Sequence, residues 1–151
     1  MKKLILTAIM AVAAIAICNA KAPIKGNGAE KNDARTIESY NAISVADGIA
    51  LNFSKDHLSG VVVTADENVL EYIVTEVVGG ELIIHYKAGE NVKPKKTPVV
   101  TVPNNGTITK LTVGNNCKFT IKETLEVEGM TIKALGGAQI EMKIDARQTV
   151  Q

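Results

Sequence analysis

The side chains that could perform chemistry are few and far apart in this chain of 151 residues. Its two histidines are His57, which follows Asp56 in a loop, and His85, which lies on the polar face of a predicted strand. A protein zinc site usually needs three or four ligands of suitable type. Two separated histidines therefore favour solvated surface residues, and we expect no metal site and no cofactor.

The candidate nucleophiles and acids also lack partners in the sequence. A catalytic thiol at Cys117 would need a neighbouring base, and none is close to it in the chain. No serine lies in a Gly-x-Ser-x-Gly motif, and no Gly-rich phosphate loop precedes a helix. Glu126 and Glu128 share one face of a predicted strand, where pairing with lysines of neighbouring strands is the ordinary role. These patterns predict a protein that is not an enzyme.

The acidic segment Asp66-Glu67-Asn68 has two interpretations. It is too short to supply the spaced series of oxygen ligands that a calcium loop needs. Asp66 is better placed to cap a short helical turn over residues 66–72, with its carboxylate accepting hydrogen bonds from the first backbone amides. The cap is the simpler prediction.

The first twenty residues have the pattern of a signal peptide. Lys2 and Lys3 precede an uncharged stretch, residues 4–17, that is apolar except for Thr7. Such a stretch is shorter than the roughly 20 residues that span a bilayer, but it is typical of a secretory signal. We predict a signal peptide over residues 1–20 and export to the periplasm, outer membrane or cell surface.

Two processing outcomes remain open. Cys18 and Ala20 are small residues at the positions that precede a cut after Ala20, which would release a soluble chain beginning at Lys21. Alternatively, Cys18 is acylated as in a lipoprotein, although Ile17 is larger than the residue usual before such a cysteine. The mature protein would contact a membrane only if it were lipidated at Cys18. The mass of the mature N-terminal peptide distinguishes the two outcomes.

The charge of the mature chain argues against nucleic acid as a partner. Without Lys2 and Lys3, 15 basic and 16 acidic side chains remain, for a net charge of −1. A nucleic-acid-binding domain is expected to carry a basic excess on one face. Only Cys117 remains as a thiol after a cut at Ala20, so the fold must be held by its core rather than by a disulfide.

Alternation of apolar and polar residues dominates the chain after a polar leader. Residues 21–34 are predicted to be flexible because they offer little apolar surface. Beyond them, the turn Asp47-Gly48 separates two alternating segments and predicts a hairpin, and Gly79-Gly80 predicts a second one. The fold class that follows is all-β, with hairpins in the N-terminal half and one short helical turn.

The second half of the chain suggests stacked coils. Short alternating strands end in small-residue turns at Gly114 and at Gly136, which are 22 residues apart. This weak repeat is close to the length of one coil of a β-solenoid. We therefore predict a β-solenoid or parallel β-helix-like domain over residues 35–151.

Three segments carry a resemblance to a known family. Residues 40–49 (YNAISVADGI), 61–70 (VVVTADENVL) and 73–84 (IVTEVVGGELII), together with Gly26-Asn27-Gly28 and Arg35 upstream, resemble the head GIN domain family of "putative auto-transporter adhesins". The resemblance covers residues 35–146. It implies an exported, β-rich, solenoid-like domain without assigned catalytic residues, and further Gly-rich repeats beyond the point where this sequence stops.

Together these observations predict a cell-envelope or surface domain that binds an unknown protein or glycan without catalysis. Aromatic rings that could stack on a sugar are scarce, because the sequence has no Trp, and Tyr40 and Tyr72 are the remaining candidates outside the expected core. The alternative is a self-associating structural subunit of the envelope, a homo-oligomer formed through an open C-terminal coil.

Overall fold

The structure is a computed structural model that describes residues 22–54, 59–103, 107–114, 116–120 and 130–141. The predicted signal peptide, Cys18, His57, Glu126 and Glu128 lie outside these ranges. The described residues are all-β apart from one 3-10 turn at Leu70–Tyr72. The strands are β1 (Ile24–Lys25), β2 (Glu30–Arg35), β3 (Ala42–Val45), β4 (Ala50–Ser54), β5 (Val61–Asp66), β6 (Ile73–Val78), β7 (Glu81–Tyr86), β8 (Val92–Lys93), β9 (Val99–Pro103), β10 (Lys110–Val113), β11 (Lys118–Thr120), β12 (Thr131–Ala134) and β13 (Gln139–Glu141).

Two sheets of unequal size form the body. The smaller sheet has the strand order β12-β10-β3-β7-β6, and the larger sheet has the order β13-β11-β4-β9-β5-β2. In each sheet the first four strands in that order are parallel, whereas β6, β5 and β2 pair antiparallel. A short third sheet joins β1 to β8 in parallel. Over the described residues, neither large sheet closes on itself.

Parallel register places like residues side by side. Ile43 pairs with Leu82 on one side and with Leu111 on the other, and Leu111 pairs with Ile132. Because alternate side chains of a strand point to opposite faces, these four residues form one apolar column facing the interior. Equivalent columns on the larger sheet face them, so the alternation seen in the sequence makes a shared core, as predicted.

The core is closed by aromatic packing between neighbouring strands. The rings of Phe53 and Phe119 meet edge to face with centroids 5.6 Å apart, and both side chains are buried. The other buried apolar side chains of this core come from strands of both sheets and from the connections next to them: Ile43, Val45, Ile49, Leu51, Val61, Val63, Ala65, Val69, Ile73, Leu82, Ile84, Val100, Val102, Ile108, Leu111 and Val113.

The predicted hairpin at Asp47-Gly48 is wrong. β3 and β4 lie in different sheets, and Asp47 and Gly48 form a corner between them with φ of 62° and 76°. Local sequence does not distinguish the two arrangements, because alternating strands flank a two-residue turn in both. The second predicted hairpin is confirmed: Gly79 and Gly80 both have positive φ, and β6 pairs antiparallel with β7 across them.

The repeat in the second half is real but shifted by one residue. Lys110 pairs with Thr131, an offset of 21 rather than the 22 inferred from Gly114 and Gly136. Gly114 therefore corresponds to Leu135. A third copy was not visible in the sequence. β3, the Asp47-Gly48 corner and β4 form the same strand-corner-strand unit, 68 residues before the unit that begins with β10.

Parts of the leader predicted to be flexible, residues 21–34, lie in paired strands. β2 pairs with β5 along six residues, from Glu30 opposite Asp66 to Arg35 opposite Val61. The leader has few apolar side chains, but it gains main-chain hydrogen bonds from the edge of β5, which composition does not reveal.

The short helical turn is confirmed, but its predicted cap is not. The turn spans Leu70–Tyr72, Val69 holds the N-cap position, and no side chain caps it. Arg35 instead binds the turn and the following strand, donating to the carbonyl oxygens of Leu70 at 2.9 Å and of Ile73 at 2.6 Å.

Replacing Phe119 by Ala should destabilise the protein by about 3–5 kcal/mol, because the change leaves a cavity against Phe53 in a closely packed core. Thr112→Ala, on the outward face of β10, is the matched control and should cost no more than about 0.5 kcal/mol. Urea unfolding monitored by far-UV circular dichroism measures both. Equal effects would contradict the proposed common core.

Candidate binding surface

The structure does not bring the candidate catalytic and metal-ligating residues together in the ranges that it describes. His85 lies on the outward face of the smaller sheet, where its Nδ1 donates to the Tyr86 carbonyl oxygen at 2.5 Å and its Nε2 lies 3.8 Å from a Glu76 carboxylate oxygen. Within the described ranges, no three His, Cys, Asp or Glu side chains group as metal ligands do.

Cys117 belongs to the core at a corner between the sheets. Its side chain is 1% exposed, and Sγ lies 3.7 Å from the Val45 carbonyl oxygen. Burial raises the pKa of this thiol above its ordinary value. The residue therefore fills space as a small apolar side chain rather than acting as a nucleophile.

Asp66 is used to hold a loop rather than to cap a helix. Its side chain is fully buried, and one carboxylate oxygen accepts hydrogen bonds from the backbone amides of Lys95 at 2.7 Å and Lys96 at 3.2 Å. The chain must approach this carboxylate closely at Gly26, where a Cβ atom would lie 2.0 Å from the same oxygen.

Asn68 completes this arrangement from the same turn. Its Oδ1 accepts from the backbone amide of Asn27 at 2.9 Å, and its Nδ2 donates to the carbonyl oxygen of Lys25 at 2.7 Å. Asp66 and Asn68 therefore bind the backbone of the N-terminal segment around β1 and of the loop after β8.

The tyrosines offer little open ring surface. The Tyr40 hydroxyl is buried without a hydrogen-bond partner among the described residues, and burial raises the pKa of this side chain to about 12. Burial likewise raises the pKa of Tyr86 to about 12. The Tyr72 ring is partly covered by the Lys87 ammonium group, 5.6 Å from its centre.

The outward face of the larger sheet carries no charged side chain across the middle of four neighbouring strands, β4, β9, β5 and β2. Glu30 of β2 and the buried Asp66 of β5 lie beyond one end of this area. Register places Thr101 between Asn52 of β4 and Val62 of β5, and Val62 faces Ala34 of β2. Methyl groups and hydrogen-bonding groups thus lie side by side on a surface of short side chains. We call this set the uncharged face: Asn32, Ala34, Ala50, Asn52, Ser54, Val62, Thr64, Val99, Thr101 and Pro103.

The outward face of the smaller sheet is different in character. Lys110 and Glu81 approach to 4.0 Å, and the Glu76–His85 pair lies farther along the same face. Lys133 adds a further exposed charge. Solvated charges of both signs make this face the ordinary exterior of a protein.

A shallow cleft of about 450 Å³ lies where the sheet corners stack. The Asp47 carboxylate at its border accepts a hydrogen bond from the Tyr86 amide at 3.0 Å, so this group already supports the fold. The cleft is lined by Ala46, Asp47, Gly48, Gly114, Asn116 and Leu135.

Sequence inspection missed the uncharged face because its members come from four separate segments. Each segment shows only ordinary alternation, and the strand order decides which outward residues become neighbours. The signal available beforehand was the absence of Lys and Glu from the outward positions of β4, β5 and β9.

A family comparison matches residues 39–150 to "Putative auto-transporter adhesin, head GIN domain". The chain belongs to this family. Its head GIN domain is also similar to solved structures. A "Putative lipid binding protein" from Parabacteroides distasonis shares 25% sequence identity with a TM-score of 0.68, over 82% of this chain and 53% of the other.

Two further structures share the fold. A "putative adhesin" from Parabacteroides merdae is 21% identical, with a TM-score of 0.64 over 80% of this chain and 55% of the other. One from Bacteroides fragilis is 15% identical, with a TM-score of 0.65 over 78% and 55%. The head GIN chain thus spans about half the length of these structures.

The names of the family and of these structures refer to adhesion or lipid binding and not to enzymes. No curated protein matches the head GIN chain. In the part of the chain that the structure describes, no helix has the length and apolar character needed to cross a membrane.

Cys117 should react slowly with a thiol reagent while the head GIN domain is folded, on the order of 100-fold slower than in denaturant, because labelling requires local opening. The native rate should keep rising at pH values where a free cysteine levels off, since burial raises the thiol pKa. Lys118→Cys in a Cys117→Ala background places an exposed thiol one residue away and should react rapidly. Equally rapid labelling of native Cys117 would contradict its buried position.

Proposed function

We propose that the mature protein is an exported, non-catalytic binding domain of the cell envelope, and that the uncharged face makes the contact. Its location would be the periplasm, the outer membrane or the cell surface, as the signal-like residues 1–20 suggest. Membrane attachment would come only through an acylated Cys18. The partner would be a protein or a glycan of that compartment.

The single observation that carries this proposal is the contrast between the two outward faces. The cores of protein interfaces are depleted in charged residues, because a charge that loses its water must be compensated. The uncharged face has that composition around Thr101, whereas the opposite face carries Lys110, Glu81 and Glu76. A partner can therefore cover the uncharged face without desolvating an ion.

We further propose that the stacked strand pairs are coils of a β-solenoid. Three strand-corner-strand units, β3–β4, β10–β11 and β12–β13, keep parallel register with one another in both sheets. Each unit exposes a short outward segment on the same face. Such stacking builds an extended surface from repeated small contributions, which suits a binding module.

The names of the similar solved structures support a binding role, but they do not identify the partner. Two carry the name "putative adhesin" and one the name "Putative lipid binding protein". A screen should therefore include a glycan panel, envelope protein fractions and lipid vesicles. The uncharged face favours a neutral partner, since it offers amides, hydroxyls and methyl groups but no ion.

Thr101→Lys should weaken binding to the partner found in this screen by at least about tenfold, because the partner would have to desolvate the added ammonium group. Thr112→Lys is the matched control: it introduces the same change at a half-buried threonine on the outward face of the smaller sheet. Surface plasmon resonance measures both, with melting temperatures to verify folding. If Thr101→Lys left binding unchanged, or Thr112→Lys weakened it equally, the assignment of the uncharged face would be wrong.

A self-associating structural subunit is the second candidate. Among the described residues, β12 and β13 each pair with a neighbour on one side only. Unpaired edge groups can add a strand from another molecule. Leu135, which lies between these two strands in the chain, is 42% exposed and adds an apolar contact at this edge.

If this edge mediates association, Leu135→Glu should lower the fraction of oligomer at high protein concentration. Val78→Glu is the control, because Val78 is a similarly exposed apolar residue, 57% exposed, in β6 at the far side of the smaller sheet. Light scattering across a concentration series compares them. A chain that stays monomeric at the highest concentration would exclude this role.

A further inference from the structure

We propose that the N-terminal residues 24–35 exchange between two copies of the chain, so that β2 of one copy pairs with β5 of the other. We call residues 24–35 the N-terminal strap. This inference goes beyond the proposed function: the partner is a second copy, and the site is the edge of β5 rather than the β12 and β13 edge.

β2 adds no buried side chain to the core. All six of its residues, Glu30–Arg35, are exposed or half-buried. On the other side of β5, by contrast, β9 contributes Val100 and Val102, which are both fully buried. The apolar core is therefore complete without the strap, and releasing the strap would uncover little apolar surface.

The contacts of β2 with the body are main-chain hydrogen bonds and polar side-chain contacts. Thr64 donates to Asn32 Oδ1 at 2.7 Å, and Lys31 pairs with Glu67 on the surface. Exposed ion pairs of this kind contribute little to stability, about 0–1 kcal/mol. Arg35 adds half-buried hydrogen bonds to the carbonyl oxygens of Leu70 and Ile73, which must break on release and re-form in the exchanged copy. Segments with few buried apolar contacts open at a lower free energy than the core, so we expect β2 to be released while the body stays folded.

The body nevertheless offers the strap a specific place to dock. Asn68 binds the backbone of Asn27 and Lys25, as described above, and the Glu67 amide donates to the Ala29 carbonyl oxygen at 2.8 Å. The Gly26 amide donates to the Lys93 carbonyl oxygen at 2.9 Å. These contacts are directional and selective for this backbone path.

A second copy is the occupant that this site fits best. Its strap presents the same donors, acceptors and glycine, so every contact between strap and body is reproduced without a new interface, as in domain swapping. Residues 36–41 form no strand and connect the strap to β3. Only this connection must change its path for the exchange to occur.

The balance between closed and exchanged forms depends on concentration. A tethered strap competes at an effective concentration that reaches the mM range for short flexible connections. Exchange therefore needs a high local concentration, such as that of molecules crowded on an envelope surface, or a connection too short to close. Shortening the connection shifts the balance toward the dimer.

The test combines a shortened connection with a disulfide that reports which chain supplies β2. Deleting Glu38 and Ser39, which are both exposed, should convert the protein to a dimer in size-exclusion chromatography with light scattering. In a Cys117→Ser background, the substitutions Asn32→Cys and Thr64→Cys place two thiols opposite each other across β2 and β5. After oxidation, most of the shortened chain should migrate as a covalent dimer on a non-reducing gel.

The matched control pair is Ser44→Cys with Thr112→Cys, which face each other across β3 and β10 inside the body. This pair should form a disulfide within one chain in the same shortened variant. A shortened variant that stays monomeric would overturn the proposal. A dimer in which the engineered disulfide between positions 32 and 64 stays within one chain would also overturn it, and would point to another interface.

A second measurement covers the case in which the shortened variant does not fold. The mature protein with its original connection carries Asn32→Cys and Thr64→Cys, again in the Cys117→Ser background. It is refolded at mM and at µM concentration and then oxidised. Covalent dimer should form at mM concentration and be nearly absent at µM concentration. Disulfides that stay within one chain at both concentrations would overturn the exchange.

Discussion

The structure depends on the parallel register between neighbouring strands of the two sheets. Register aligns Leu82, Ile43, Leu111 and Ile132 into one interior column, and it places the ring of Phe119 beside that of Phe53. A shift of one residue would turn every apolar side chain of a strand to the outside. The corners between the sheets must preserve this register.

The corners meet this requirement by local geometry. Asp47, Gly48, Asn116 and Gly137 have positive φ, which lets the chain pass from one sheet to the other within a few residues. Each corner also receives hydrogen bonds from its neighbour, as when the Gly114 amide donates to the Val45 carbonyl oxygen at 2.8 Å. The corners therefore stack as the strands do, and Cys117 fills the space behind one of them.

The two borders of the stack are built differently, and this difference bears on function. At one border the antiparallel strands β6, β5 and β2 flank the parallel array, and β2 covers the edge of β5 with polar residues. At the other border β12 and β13 pair on one side only among the described residues. The uncharged face lies between these borders on the larger sheet and includes Asn32 and Ala34 of β2. Contact with a partner would therefore share β2 with the exchanged strap, whereas contact between copies through the β12 and β13 edge would use a separate surface.

The sequence by itself determined the features that depend on neighbouring residues. Alternation predicted the strands and their buried sides, Gly79-Gly80 predicted a hairpin through its positive φ, and the motifs of residues 40–84 indicated the family. Side-chain direction repeats every two residues along a strand, so the pattern is visible in the chain itself.

Only the tertiary structure decided which strands are neighbours. β3 lies between β7 and β10, whose residues are about 40 and 70 positions away in the chain, so the corner at Asp47-Gly48 was mistaken for a hairpin. Strand pairing also placed the polar leader beside β5 and brought Thr101, Asn52 and Val62 onto one face. The loop after β8 supplied the backbone amides that bind the Asp66 carboxylate in place of the predicted helix cap. Strand pairing is made by backbone groups that every residue carries, and its partners are therefore not encoded in local residue types.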